Sequence, residues 1–122
     1  MSDTQDTIWL SDPEDHDYSA AQDYLELHFI PSQAADMASR LRTEKTILKK
    51  AKDILRASQL TLLPKDNVHV KANLQKVDKG KKMSPVLLVR GEPLLIADGY
   101  HRVCAIYYLS EDLTIPCRIT GR

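Results

Sequence analysis

Cysteine, glycine and tryptophan are scarce in this chain, with two, four and one respectively in 122 residues. Cys104 and Cys117 each stand alone in an apolar stretch, with no CxxC and no Cys/His spacing, so neither a disulfide framework nor a zinc site is indicated. Both are expected to be buried thiols. No apolar run approaches the roughly 20 residues a membrane helix needs, and the N-terminus is acidic where a signal peptide would be basic. The expectation is a cytoplasmic protein with no membrane partner. Lys and Arg are missing from residues 1 to 28, which hold eight Asp or Glu.

What is present suits one folded domain, since 122 residues with 43% hydrophobic content are enough to bury a single core. The net charge of zero hides an asymmetry. Residues 29 to 122 carry 17 basic groups against nine acidic ones, a surplus of +8. A basic body behind an acidic segment suits a polyanionic ligand, with the segment as an intramolecular screen; an ordinary solvated surface is the plainer alternative.

Three stretches follow along the chain. Residues 1–17 are polar and acidic, expected to be a mobile tail in which only Ile8, Trp9 and Leu10 offer a cluster to dock. Residues 18–58 are expected to be a helical extension, with a first helix over 19–29 and another starting after Pro31, capped by Ser32. From Ala34 to Ala57, Met37, Leu41, Leu48 and Leu55 recur at multiples of the heptad, which predicts one amphipathic helix or two in tandem. Its polar face would carry Arg40, Arg42, Lys45, Lys49, Lys50, Lys52 and Arg56. That pattern fits a helix holding a DNA or RNA backbone, or a solvated face.

Residues 59–122 read as a β-α-β-β-α-β core. Leu60–Leu63 is a short strand, and Asp66 caps a helix running to Asp78 that Gly80 ends. Pro85–Val89 is a buried strand, Leu94–Ala97 its hairpin partner, Tyr100–Ser110 a helix, and Ile115, Cys117 and Ile119 mark a closing half-buried strand. The fold class is therefore α/β (α+β), with a helical N-terminal extension.

Function concentrates at Asp98-Gly99-Tyr100-His101-Arg102, where a strand turns into a helix. A helix start leaves backbone N–H groups without intrahelical partners and favours an anion; Gly99 permits the bend and the close approach of a ligand. Arg102 offers a fork for phosphate oxygens, and His101 can donate, accept or shuttle a proton near neutral pH. Two cationic side chains at a helix N-terminus oppose the dipole unless an anion is bound, a local conflict of the kind found at functional sites. Asp98 reads as the helix N-cap or, with a Mg²⁺-nucleotide, as a metal-holding carboxylate; no second carboxylate lies near it in sequence.

The segments Ser84–Val89, Leu94–Ala105 and Ile115–Ile119 together resemble the ParB/sulfiredoxin superfamily over roughly residues 59–120, in order as well as motif. The resemblance implies a standalone domain similar to the ParB N-terminal module, without its helix-turn-helix. Sulfiredoxins place a nucleophilic Cys where this chain has Tyr100, so reductase chemistry is not implied. Cys104 lies about 6 Å further along the helix axis and is no substitute. His101 and Arg102 do match, which implies binding of a nucleotide or other phosphate ligand, possible slow phosphohydrolase activity with His101 as its acid–base group, and Mg²⁺ as companion ion. In such proteins the preceding helix faces the turn, making His69, Lys71 and Asn73 further ligand candidates, with Lys81 reaching from the loop. A ParB-like nuclease or nucleic-acid-binding module using residues 40–56, and a non-catalytic interaction protein, are the competing expectations.

Overall fold

The computed structural model describes residues 7–122. Five helices and four strands follow one another as α1 (Asp15–Leu25), α2 (Pro31–Thr43), β1 (Ile47–Lys50), α3 (Ala51–Ser58), α4 (Val68–Asp78), β2 (Val86–Val89), β3 (Leu95–Asp98), α5 (Tyr100–Leu109) and β4 (Thr114–Thr120). The strands form one mixed sheet in the order β1-β4-β2-β3. β4 runs antiparallel to β1 and parallel to β2, while β2 and β3 form the expected antiparallel hairpin. The fold is α/β. No helix among the described residues is long and apolar enough to cross a membrane.

Helices cover both faces of the sheet, which explains why Val86, Leu87, Leu88 and Val89 are all fully buried. Leu87 and Val89 pack with Tyr18, Ala21 and Leu25 of α1 and Ala34, Met37 and Leu41 of α2. Val86 and Leu88 face the other way, toward Ile54 and Leu55 of α3, Val70 of α4 and Val103 and Ile106 of α5. Because successive residues of a strand point to opposite faces, an uninterrupted apolar run is what a strand sandwiched between two helical layers requires. The helical extension is therefore the second layer of the fold.

Several expected elements fall differently. Of the tail expected over residues 1–17, residues 1–6 lie outside the described residues, but the rest is docked: Ile8 and Trp9 are 8% and 4% exposed. Met83 N–H donates to the Ile8 carbonyl and Leu10 N–H to the Met83 carbonyl, both at 2.8 Å. Burial of each apolar side chain contributes about 1.5–3 kcal/mol, which offsets the ordering of this segment. Asp15 to Asp17 then open α1, where the Asp17 carboxylate accepts the Glu14 N–H at 2.8 Å. The second helix starts with Pro31 at its first position and Ile30 as N-cap, not Ser32, since Pro has no N–H to leave unpaired.

The stretch read as one amphipathic helix or two in tandem contains a strand, Ile47–Lys50, between α2 and α3. Thr43, Thr46 and Ile47 are β-branched and weak helix formers, and pairing of Ile47 through Lys50 with Cys117 through Thr114 decides the outcome. This edge strand is exposed along its length, Leu48 at 53%. The first strand of the sheet is thus β1, within the stretch assigned to the helical extension, and Leu60–Leu63 is not a strand. The sheet leaves it no partner; instead the Tyr100 hydroxyl donates to the Thr61 carbonyl and the Tyr108 hydroxyl to the Leu63 carbonyl at 2.7 Å.

The basic groups of residues 40–56 accordingly do not share one helical face, and most are engaged. Arg40 Nη1 donates to Thr120 Oγ1 at 2.6 Å and to the Gly121 carbonyl, while Arg42 pairs with Asp15 at 3.1 Å and stacks 4.3 Å above the Tyr18 ring. Lys52 reaches Asp112 at 2.8 Å, Lys50 reaches it at 3.9 Å, and Arg56 reaches Asp53 at 3.2 Å.

Candidate functional site

β3 ends in Asp98, and Gly99 is the N-cap of α5 with φ 113° and ψ 16°. Asp98 therefore does not cap the helix, contrary to the sequence expectation. Its carboxylate Oδ2 instead takes Arg102 Nη2 at 3.0 Å, one turn along, and the same nitrogen donates to the Pro85 carbonyl at 3.3 Å. The two side chains are 18% and 17% exposed. Gly99 permits the bend as expected, through its positive φ. A Cβ there would also collide with Val86 Cγ1 and lie 3.0 Å from Arg102 Nη2, so the missing side chain serves close packing of turn on strand as well.

A cavity of about 220 Å³ opens beside this turn, lined by His69, Ala72, Asn73 and Lys76 of α4 and by Asp98, Gly99, His101 and Arg102. The helical repeat explains the α4 side, because residues four and then three further on from His69 share its face. Asn67, not Asp66, caps this helix: its side-chain Oδ1 accepts the His69 and Val70 N–H groups at 2.9 and 3.2 Å. Lys71 is turned about 200° from His69 around the helix and lines a different groove, with Leu74, Tyr108 and Leu109. Lys81 lines none of the cavities described, and Tyr100 anchors the Thr61 segment rather than the cavity. Sequence reasoning missed Lys76, although its spacing of seven from His69 was there to be read.

The imidazoles of His69 and His101 lie with ring centroids 4.7 Å apart. Burial pushes the His101 pKa down, and the neighbouring His69 and Arg102 push it the same way. A neutral ring at pH 7 can both donate and accept. Asp98 is shifted the other way: burial raises its pKa most, the charge and hydrogen bond of Arg102 oppose this, and a second carboxyl, Asp17, raises it again through its charge and a hydrogen bond. Asp17 is only 3% exposed. The carboxylate partner that Asp98 lacks in sequence thus arrives from α1.

A divalent cation fits this pair poorly, because the Arg102 guanidinium already holds Asp98 with a fixed positive charge. The group of ligating side chains close enough to share an ion among the described residues, Glu14, His16 and Asp17, does not include Asp98. Cys104 and Cys117 are buried as expected; burial raises the Cys104 thiol pKa and pushes that of Cys117 to about 11, so neither supplies a thiolate near neutral pH. A larger cavity, about 800 Å³, lies elsewhere, between Lys52, Asp53, Arg56 and Glu111, where Lys52 and Arg56 are engaged with Asp112 and Asp53. By contrast Lys76 has no acidic partner among the described residues, and Arg102 Nε is buried with no hydrogen-bond partner.

No family model, curated protein or solved structure matches the chain.

Proposed function

We propose that the chain is a phosphate-binding domain of the ParB/sulfiredoxin kind, with its ligand at the cavity between α4 and the start of α5. The observation that carries this reading is a cavity that Arg102, Lys76, His69 and His101 line together, with Arg102 Nε itself buried and unpaired. A buried donor without a partner costs about 1–3 kcal/mol, and turning of the Arg102 guanidinium toward an anion in the cavity would relieve it. The first turn of α5 adds to this, since its N-cap Gly99 has no side chain to accept the free N–H groups.

Size sets the ligand class. At about 220 Å³ the cavity is smaller than the roughly 300–1,000 Å³ that encloses a drug-sized molecule. It suits one phosphate group, with the remainder of a nucleotide or other ester outside. Arg102 and Lys76 supply charge, and the neutral His101 supplies a hydrogen bond or takes up a proton as the anion arrives. Binding, rather than turnover, is the activity these groups support best.

Thermal midpoints measured with phosphate, pyrophosphate and nucleoside mono-, di- and triphosphates test the reading, in wild type and in Lys76→Ala. A ligand at about 100 times its Kd adds about 2.7 kcal/mol, a rise of several degrees for a domain of this size. The expected result is a rise in wild type that shrinks in the variant, whose own midpoint is unchanged because Lys76 is exposed. A panel with no stabilising phosphate compound sinks it.

A further inference from the structure

α4 ends in a way that gathers lysines next to the cavity. Gly80 adopts φ +74°, its N–H bonds the Val77 carbonyl at 3.1 Å, and the Lys81 N–H folds back to the Lys76 carbonyl at 2.8 Å. This is the Schellman arrangement, in which the residue after the glycine comes to lie against the helix residue five positions earlier, commonly through an apolar contact. Here both positions are lysine. Lys76, Lys79, Lys81 and Lys82 are all exposed, and none forms an ion pair among the described residues.

The backbone beneath them is fixed. Met83, immediately after Lys82, is 3% exposed and is held by its two hydrogen bonds to Ile8 and Leu10. Among the described residues no acid pairs with the group: Asp78 lines the groove on the other flank of α4, and Glu14 accepts a hydrogen bond from Ser84 at 3.0 Å. The helix dipole favours cations in the last turn of α4, but its effect fades beyond that turn and does not account for Lys81 and Lys82. Like charges kept together on a rigid loop, while Arg40, Arg42, Lys50, Lys52 and Arg56 are paired, mark a surface for an extended anion.

We infer that this surface holds the backbone of a nucleic-acid strand whose terminal phosphate occupies the cavity, with Lys76 common to both. The inference rests on the phosphate-binding reading and names its ligand. A free nucleotide would use the cavity and leave Lys79, Lys81 and Lys82 without a role; a strand end uses all of them.

Fluorescence anisotropy on the full chain tests it, with single-stranded DNA and RNA of one sequence bearing a 5′-phosphate, a 3′-phosphate or neither, each in a salt series. The comparison is wild type against Lys79→Gln/Lys81→Gln/Lys82→Gln, a set of exposed positions outside the cavity. Expected are affinity about tenfold higher for one phosphorylated end, and a log–log salt slope reduced by about 2 in the variant, since each single-strand phosphate contact contributes about 0.7. The variant keeps the wild-type thermal response to small phosphates. Oligonucleotide affinity and slope unchanged by the triple substitution overturn the inference, as does absence of oligonucleotide binding. If small phosphates still stabilise the protein in either case, the cavity reading stands alone; if they do not, both fall.

Discussion

The carboxyl group of Asp17, near the start of α1, stands against that of Asp98, at the end of β3, so the N-terminal layer of the fold touches the residue that holds Arg102. Burial and the neighbouring Asp17 both favour the protonated form of Asp98, against the pull of Arg102. The Asp98 pKa is raised from the usual 3.8, so the folded protein keeps a proton that the unfolded chain releases. That contribution to stability is complete below the unfolded value and declines as pH rises through the higher folded one. Asp17→Asn should remove the like charge while still accepting the Glu14 N–H, raising stability at neutral pH and flattening the decline. Asp17→Ala should lose about 1–3 kcal/mol by leaving that N–H unpaired. Urea midpoints across the acid range read both; equal losses in the two variants at neutral pH would contradict the like-charge contact between Asp17 and Asp98.

His101 produces the opposite slope in a higher window. Its folded pKa lies below the ordinary 6.5, so the unfolded chain takes up a proton first on acidification. Stability attributable to this group is complete above 6.5 and is lost as pH falls through that value toward the folded one. Substituting His101→Asn should remove that dependence. Phosphate should reverse its sense, since a bound anion favours the protonated ring, so affinity should rise over the same window in which the ligand-free protein weakens. Thermal midpoints with and without phosphate, from about pH 8 to about pH 5.5, decide it; an affinity that falls on acidification through this range would remove His101 from the phosphate contact.

Gly99 and Gly80 both have positive φ, but only Gly99 is crowded. Gly80→Ala should cost about 1–2 kcal/mol, the strain of placing an L side chain in that conformation, because nothing lies within 4 Å of the new Cβ. At position 99 the same strain is joined by the collision with Val86 and crowding of Arg102, adding about 1–3 kcal/mol. Chemical denaturation of the two single variants measures the difference. Equal losses would mean that the turn at Asp98 is not packed against β2 as described.

The hairpin, α4, α5 and the turn between Asp98 and Arg102 were legible because each rests on local signals: uninterrupted apolar residues, helical spacing of apolar residues, a glycine at a bend. β1 was not, since Leu48 is exposed and its spacing from Leu41 and Leu55 mimics a helix; only the partnership with β4 makes it a strand. Leu60–Leu63 has strand composition but joins neither edge of the sheet, and two tyrosine hydroxyls bond its carbonyls instead. Within the site, His69, Asn73, Asp98, Gly99, His101 and Arg102 converge as expected. Lys71 was separated from them by helix phase, which a list of polar residues does not encode. Asp17 was hidden for another reason: no local pattern reports that α1 returns to the end of β3. The same distance effect concealed Trp9, whose place in the core depends on Met83 far along the chain.

β4 comes last of the four strands in sequence but lies inside the sheet, between β1 and β2. During synthesis, then, β1 has no neighbour at all and the hairpin of β2 and β3 has one side bare until residues 114–120 leave the ribosome. The sheet cannot be assembled progressively from the N-terminus; it closes in a single late insertion, and any break in translation before Thr114 leaves two further strand edges, those of β1 and β2 that β4 would cover, for other chains to bind.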